Sequence, residues 1–328
     1  MLALALAGCT ATAAVAPGAA TQAPTAAEQT AKEFLQVTSV HEATGMTLLE
    51  GPTFGPDGHL YLVDVTAPAG APKVLRVDVD SRKTSTLYTD DTSAFTSAQF
   101  SPRDGRLYLT DFIGGTVQSI TTDGEDPQVL FSGPVEGALM NPDDLAFDEE
   151  GNLFVTDSIG AQDPYWKPQG RLIRIDGASN EVRVLAWDLP APNGIAFTPA
   201  FDGLWLSHNT ANRIDYLRLD GNGQNVLSAH PAIHADGGTS QVDSAAVDAE
   251  GNLYIGLHNR PAILVYNTHG ELVSTITIPS ENHGLSSATN IAIKPGTSQA
   301  FAVVSGKAGG WIFTFDALAE GTRQSNGG

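Results

Sequence analysis

Side chains that carry oxygen recur at one register through this chain. Aligned on an apolar residue four places downstream, the register reads Glu50 (Phe54), Thr96 (Phe100), Asp143 (Phe147), Asn193 (Phe197), Asp243 (Val247) and Thr289 (Ile293). Three carboxylates and one amide oxygen, if brought to one place, form an oxygen-only ligand set. Such a set suits a hard cation, Ca²⁺ first, with Mg²⁺, Mn²⁺ or Zn²⁺ as substitutes.

These residues meet only if the fold winds them around a common axis. Each register residue opens a segment that continues into a turn and a second apolar run, as in "FGPDGHLYLVD", "FSPRDGRLYLTD", "FDEEGNLFVTD" and "VDAEGNLYIGL". The repeats lie roughly 45 to 52 residues apart, the spacing of propeller blades. Each of repeats 1 to 5 holds four strand candidates, and repeat 6 holds about three of its own. The alternating segment at residues 33 to 42 supplies the missing one. The expected fold is therefore all-β, a six-bladed propeller closed by an N-terminal strand, which removes an exposed sheet edge.

The hairpin topology sets what surrounds the register. The start of each register strand lies beside the end of the next strand, on one face. The second strands end at Val65, Phe112, Ser158, Asn209 and His258, so these should form a mouth. The insertion at residues 159 to 170, "IGAQDPYWKPQG", should hang over it, with Tyr165 and Trp166 either packing it or touching substrate. The segment "HPAIHADGG" places His230 and His234 at i and i+4, but its Pro and Gly argue for a loop rather than a zinc-binding helix.

A formal net charge of −20 excludes nucleic acid and anionic membrane surfaces as partners. The one cysteine, Cys9, excludes an intrachain disulfide. The run "LALALAGC" before an Ala/Thr/Pro stretch looks like a bacterial lipoprotein signal with Cys9 lipidated. The expected domains are a signal and disordered tether over 1–30, a propeller over 31–320 and a disordered tail over 321–328. The protein is then a monomer outside the cytoplasm, touching the membrane only through the lipid at Cys9, or is secreted if the start is an ordinary secretory leader.

At "LLEGPTFGPDGHLYLVD", "NPDDLAFDEEGNLFVTD", "PNGIAF" and "VDSAAVDAEGNLYIG" the chain resembles the gluconolactonase, senescence-marker-protein and luciferin-regenerating-enzyme family. Within it the drug-responsive bacterial lactonases are most similar; paraoxonase and diisopropyl fluorophosphatase are more distant. The resemblance implies a catalytic calcium held by Glu50, Asp143, Asn193 and Asp243, with Ser244 beside the last. Asp143 stands where many members have Asn. Asn141 stands where some sugar lactonases have Arg, which argues against a gluconate-type substrate. His258 falls where paraoxonase has a pocket histidine. The implied reaction is hydrolysis of a lactone or related ester, with Asp243 as base or nucleophile and His258 in reserve. Asn141, Ser158, Asn209 and His258 are the candidate substrate contacts. Asp144 is expected to cap a turn or to support a ligand, and His208 to flank the mouth. The alternatives are a non-enzymic binding module with a structural calcium, and phosphotriester hydrolysis at the same metal.

Overall fold

The computed structural model describes residues 26–279 and 284–323. Cys9, most of the expected tether and residues 324–328 lie outside the described residues. Regular structure within them comprises twenty-five strands and one short 3₁₀ helix, η1 (Asn209–Ala211).

Two strands, β1 (Ala27–Thr30) and β2 (Lys32–Thr38), precede the repeats. Repeat 1 is a sheet of β3 (Leu49–Phe54), β4 (Leu60–Asp64), β5 (Pro72–Asp78) and β6 (Lys83–Thr89). Repeat 2 is β7 (Phe95–Phe100), β8 (Leu107–Asp111), β9 (Thr116–Ile120) and β10 (Gln128–Ser132). Repeat 3 is β11 (Pro142–Phe147), β12 (Leu153–Asp157), β13 (Gly170–Ile175) and β14 (Val182–Leu189). Repeat 4 is β15 (Pro192–Phe197), β16 (Gly203–His208), β17 (Arg213–Leu219) and β18 (Val226–His234). Repeat 5 supplies β19 (Gln241–Val247), β20 (Leu253–His258), β21 (Ala262–Tyr266) and β22 (Leu272–Thr277). Repeat 6 supplies β23 (Leu285–Ile293), β24 (Gln299–Gly306) and β25 (Gly309–Asp316). These last two repeats join β1 and β2 in one nine-stranded sheet, whose halves meet through the single pair Leu257↔Ala288.

The strands that open the six repeats, β3, β7, β11, β15, β19 and β23, contact one another in sequence, and β23 returns to contact β3. They therefore surround an axis. Aromatic packing fixes the spacing between sheets. Tyr61 meets Phe100, Tyr108 meets Phe147 and Phe154 meets Phe197, with ring centroids 4.9–5.2 Å apart and edge-to-face. Phe301 of repeat 6 meets Phe54 of repeat 1 in the same way at 5.4 Å. Each pair joins the second residue of one second strand, or the third in β24, to the alignment residue of the next repeat. Such pairs contribute about 0.5–1.5 kcal/mol beyond area burial.

The chain ends differ from expectation in detail. β2 pairs antiparallel with β25, from Lys32↔Thr314 to Thr38↔Gly310. Ala27–Thr30, assigned to the tether from composition, instead forms β1, a parallel edge strand on β22. Its backbone finds ladder partners that composition does not reveal. At the other end, Gly321 is tied into the fold: its N–H donates to the Thr297 carbonyl at 2.8 Å, and its carbonyl accepts from Gly296 at 2.9 Å. His230 and His234 lie in β18, not in a loop. Pro231 is tolerated there because β18 is an outer edge strand with a register shift at that point.

Candidate functional site

Each inner strand carries a register shift at or beside its register residue. The shifts fall between Glu50 and Thr53, Phe95 and Ser97, Pro142 and Leu145, Pro192 and Ile195, Val242 and Ala245, and Ala288 and Asn290. A bulge re-aims the side chains around it and bends the strand. Close approach between inner strands is helped by glycine. Gly51, next to Glu50, has φ +53°, and a Cβ there would sit 2.6 Å from the Ala98 nitrogen.

The second strands then clamp the neighbouring register. Thr110 Oγ1 donates to the Asp143 carbonyl at 2.6 Å, Thr156 Oγ1 to the Asn193 carbonyl at 2.7 Å, and Ser207 Oγ to the Asp243 carbonyl at 2.5 Å. The matching residue of repeat 5 is Gly256, where a Cβ would lie 1.8 Å from the Thr289 carbonyl oxygen. The backbone itself occupies the space of the missing hydroxyl.

Glu50, Thr96, Asp143, Asn193 and Asp243 all line one cavity of about 430 Å³. So do Val65, Phe112, Ser158, Asn209 and His258, together with Ala161 and Gln162 of the insertion. Asn193 Nδ2 and Ser158 Oγ donate to Asp143 Oδ2 at 3.0 and 3.1 Å. The Pro192 carbonyl is also within reach of Ser158 Oγ and shares its one proton with Asp143. His258 Nδ1 lies 3.8 Å from Asp243 Oδ2. Asn209 belongs to η1, and its amide donates to the Val242 carbonyl at 2.9 Å.

Other expected residues lie elsewhere. Thr289 is buried off the cavity and donates to the Leu49 carbonyl at 3.2 Å. Asn141 is outside the lining, with its amide bound to the Phe112 carbonyl at 3.1 Å. Ser244 is buried one residue deeper than Asp243. His208 does not flank the mouth: it is fully buried, with Nε2 3.0 Å from Asp215 Oδ2. Tyr165 and Trp166 pack edge-to-face on each other and are exposed.

Three features went unread in the sequence. Leu48, Ala191 and Gln241 line the cavity from the position two before the register, an offset visible only once the register is known to face a cavity. The clamping hydroxyls recur four residues into "LYLTD", "LFVTD" and "LWLSH", a signal with no stated meaning in sequence. The third is a deeper polar layer one residue past the register. Ser97, Asp144, Ser244 and Asn290 are all buried there, each with at least one polar atom lacking a hydrogen-bond partner.

The electrostatics are those of crowded acids. Burial, then Asp243, Asp144 and Asp143, push the Glu50 carboxyl well above its ordinary range. Burial and then Asp143 do the same to Asp243 and to Asp144. Burial raises Asp143 to about 6. Burial lowers the pKa of His258 and so favours its neutral form.

Among the described residues, no three His, Cys, Asp or Glu side chains form a ready-made metal cluster. The residues present nevertheless fit a hard cation. The donors are all oxygen, their negative charge is mutually repelling, and Asn193 Oδ1 is buried without a protein partner.

The class so defined is an all-β protein whose repeated sheets surround an acidic axial cavity. The chain belongs to the SMP-30/gluconolactonase/LRE-like family, whose model matches residues 48–293. A lactonase drp35 of Staphylococcus haemolyticus is 27% identical over 284 residues, covering 83% of this chain and 84% of the relative. Among solved structures, a luciferin-regenerating enzyme superposes with a TM-score of 0.72 at 17% identity, covering 90% of this chain and 98% of that one. A calcium-binding regucalcin from Agrobacterium tumefaciens superposes at 0.69 with 16% identity, covering 92% and 100%.

Proposed function

We propose that this chain is a calcium-dependent hydrolase that opens a lactone or related ester in the axial cavity. The observation that carries this reading is the buried carboxylate cluster around the unpartnered Asn193 oxygen, on a cavity wall, in a family with lactonase members. Glu50, Asp143, Asp243 and Asn193 Oδ1 would hold the ion. When bound, Ca²⁺ polarises an ester carbonyl as a Lewis acid and offsets the charge that develops on its oxygen.

The chain's own groups do the proton work. Asp243 takes the proton of a water attacking the carbonyl carbon, the ring C–O bond breaks, and the departing alkoxide regains a proton to give a hydroxy acid. Burial favours proton acceptance by Asp243, but a neighbouring cation opposes that shift. His258, close to Asp243 and favoured neutral by burial, is the second group able to accept it. Ser158 and Asn193 fix the Asp143 carboxylate by donating to the same oxygen.

The same reading takes the six repeats as blades of one propeller over residues 31–320, closed where β2 pairs with β25. Lipidation of Cys9 would hold the monomer on the outer side of a bacterial membrane. Mass spectrometry of the mature N-terminus tests this, and an unmodified Cys9 or cleavage elsewhere rejects it. The activity is tested with a lactone and aryl-ester panel on purified protein, with and without chelator. Hydrolysis should vanish on chelation and return with calcium. A calcium-loaded protein that hydrolyses no lactone or ester would leave the binding module as the better reading.

A further inference from the structure

The cavity is two-sided. Its large apolar lining residues, Leu48, Val65 and Phe112, come from repeats 1 and 2. Its polar mouth residues, Ser158, Gln162, Asn209, Gln241 and His258, come from repeats 3 to 5. Leu48, Val65 and Phe112 are only half-buried. None of them belongs to the hydrophobic cores between the sheets. The cores formed by the described residues therefore do not account for this wall. It continues outward: Ile113, next to Phe112, is 75% exposed, and Met46, two residues before Leu48, is 54% exposed. Among the described residues, no Lys or Arg lines the cavity.

We infer that the substrate is an uncharged lactone bearing an alkyl substituent, which lies along Leu48, Val65 and Phe112 and exits past Ile113. This rests on the hydrolase reading and names the substrate class for that site. The chemistry follows from both walls. Even with a divalent cation bound, the three carboxylates of Glu50, Asp143 and Asp243 leave the site net negative, and an anionic or phosphorylated substrate finds no Lys or Arg among the described lining residues to balance it. A polyhydroxylated lactone would leave hydroxyls against Leu48, Val65 and Phe112 without partners, and unpaired polar groups are costly when buried. An alkyl chain gains instead from leaving water. The polar groups of repeats 3 to 5 remain for the ring and carbonyl side.

The test uses the calcium-loaded full chain with γ-butyrolactone, its butyl-, hexyl- and octyl-substituted homologues, and gluconolactone. Expected is a rise in kcat/KM of roughly two- to fourfold per added methylene, carried by KM, which levels off once the chain passes Ile113. Phe112→Ser and Val65→Ser should each flatten that rise about tenfold over the series. Val129→Ser, on the exposed outer strand β10, should leave it intact. Preference for gluconolactone, or no dependence on chain length in the parent, overturns the inference. The matching alkyl-substituted lactams, titrated calorimetrically, separate the two readings. If no lactone is hydrolysed but lactam affinity still climbs with chain length and flattens in Phe112→Ser, the hydrolase reading fails and the apolar wall stands. Lactam affinity indifferent to chain length removes the wall.

Discussion

Six inner strands share one register but use it in two ways. In repeats 2 and 6 the register residue is a threonine whose hydroxyl reaches a backbone carbonyl of a neighbouring inner strand. Thr96 donates toward the carbonyls of Pro142 and Asp143 at 3.1 and 3.0 Å, and Thr289 toward that of Leu49 at 3.2 Å. In repeats 1, 3, 4 and 5 the residue is Glu50, Asp143, Asn193 or Asp243, and its oxygens face the cavity. A short hydroxyl at this position bonds sideways to the adjacent strand and stitches the ring. A carboxylate has no proton to donate to a carbonyl, so its charge stays directed at the axis. The same geometric position thus serves either cohesion or the lining of the cavity with acidic and amide oxygens, and the side chain decides which.

The strongest challenge to this division is made at the acidic positions. Asp243→Asn should keep the fold and much of the ligation while lowering kcat by about 10²–10⁴, because an amide cannot accept the proton. Full lactonase activity in this variant would remove Asp243 from the chemistry. Glu50→Ala and Asp243→Ala should weaken calcium binding and shrink the rise in Tm that calcium produces. If both titrate calcium like the parent, the cation lies elsewhere.

A second test uses pH on chelated protein. Glu50, Asp143 and Asp243 carry folded-state pKa values above the unfolded ones, so the folded state binds protons that the unfolded chain has released. Their contribution to stability is full below the ordinary carboxylate pKa. It declines as pH rises, through about 6 for Asp143 and further for the other two. Urea midpoints across that window should fall with rising pH, and saturating calcium should flatten the slope. A slope of the opposite sign, or one unchanged in Asp143→Asn, would mean that the carboxylates do not repel one another as described.

The threonine positions should behave differently. Thr96→Val removes the donor facing two carbonyls and should cost about 1–3 kcal/mol of stability, with calcium affinity changed by less than about tenfold. Loss of calcium binding comparable to Glu50→Ala would erase the distinction between the two uses of the register. The smallest effect is expected at the mouth. His258→Gln should reduce kcat by roughly tenfold if His258 shares the proton with Asp243. An unchanged rate would leave Asp243 as the sole base.

Much of the fold was legible because repetition is a property of sequence. The alignment on Phe54, Phe100, Phe147 and Phe197 marked residues that receive an aromatic ring from the preceding sheet, so the pattern was a packing pattern. Hairpin topology was enough to gather Val65, Phe112, Ser158, Asn209 and His258 around one cavity. The misreadings arose where local composition lacked its partner. Ala27–Thr30 reads as tether until β22 offers it a ladder, and the "HPAIH" segment reads as loop until β17 supplies a neighbour. His208 looked like a mouth residue because it ends a strand, yet it is fully buried, with its ring hydrogen-bonded to Asp215.

The sequence by itself determined which residues share a register, that four of them carry carboxylate or amide oxygens, and that six similar units must bury apolar faces against one another. Side-chain type and spacing are local and periodic, and both survive in one dimension. Only the tertiary structure decided where those oxygens point. A register shift near the same place in each inner strand turns the residues there, and hydroxyls from Thr110, Thr156 and Ser207 clamp the backbone of the next repeat. The raised pKa values also belong to that level. Glu50 and Asp243 are far apart along the chain, and their repulsion exists only after folding has brought them together and removed the water between them.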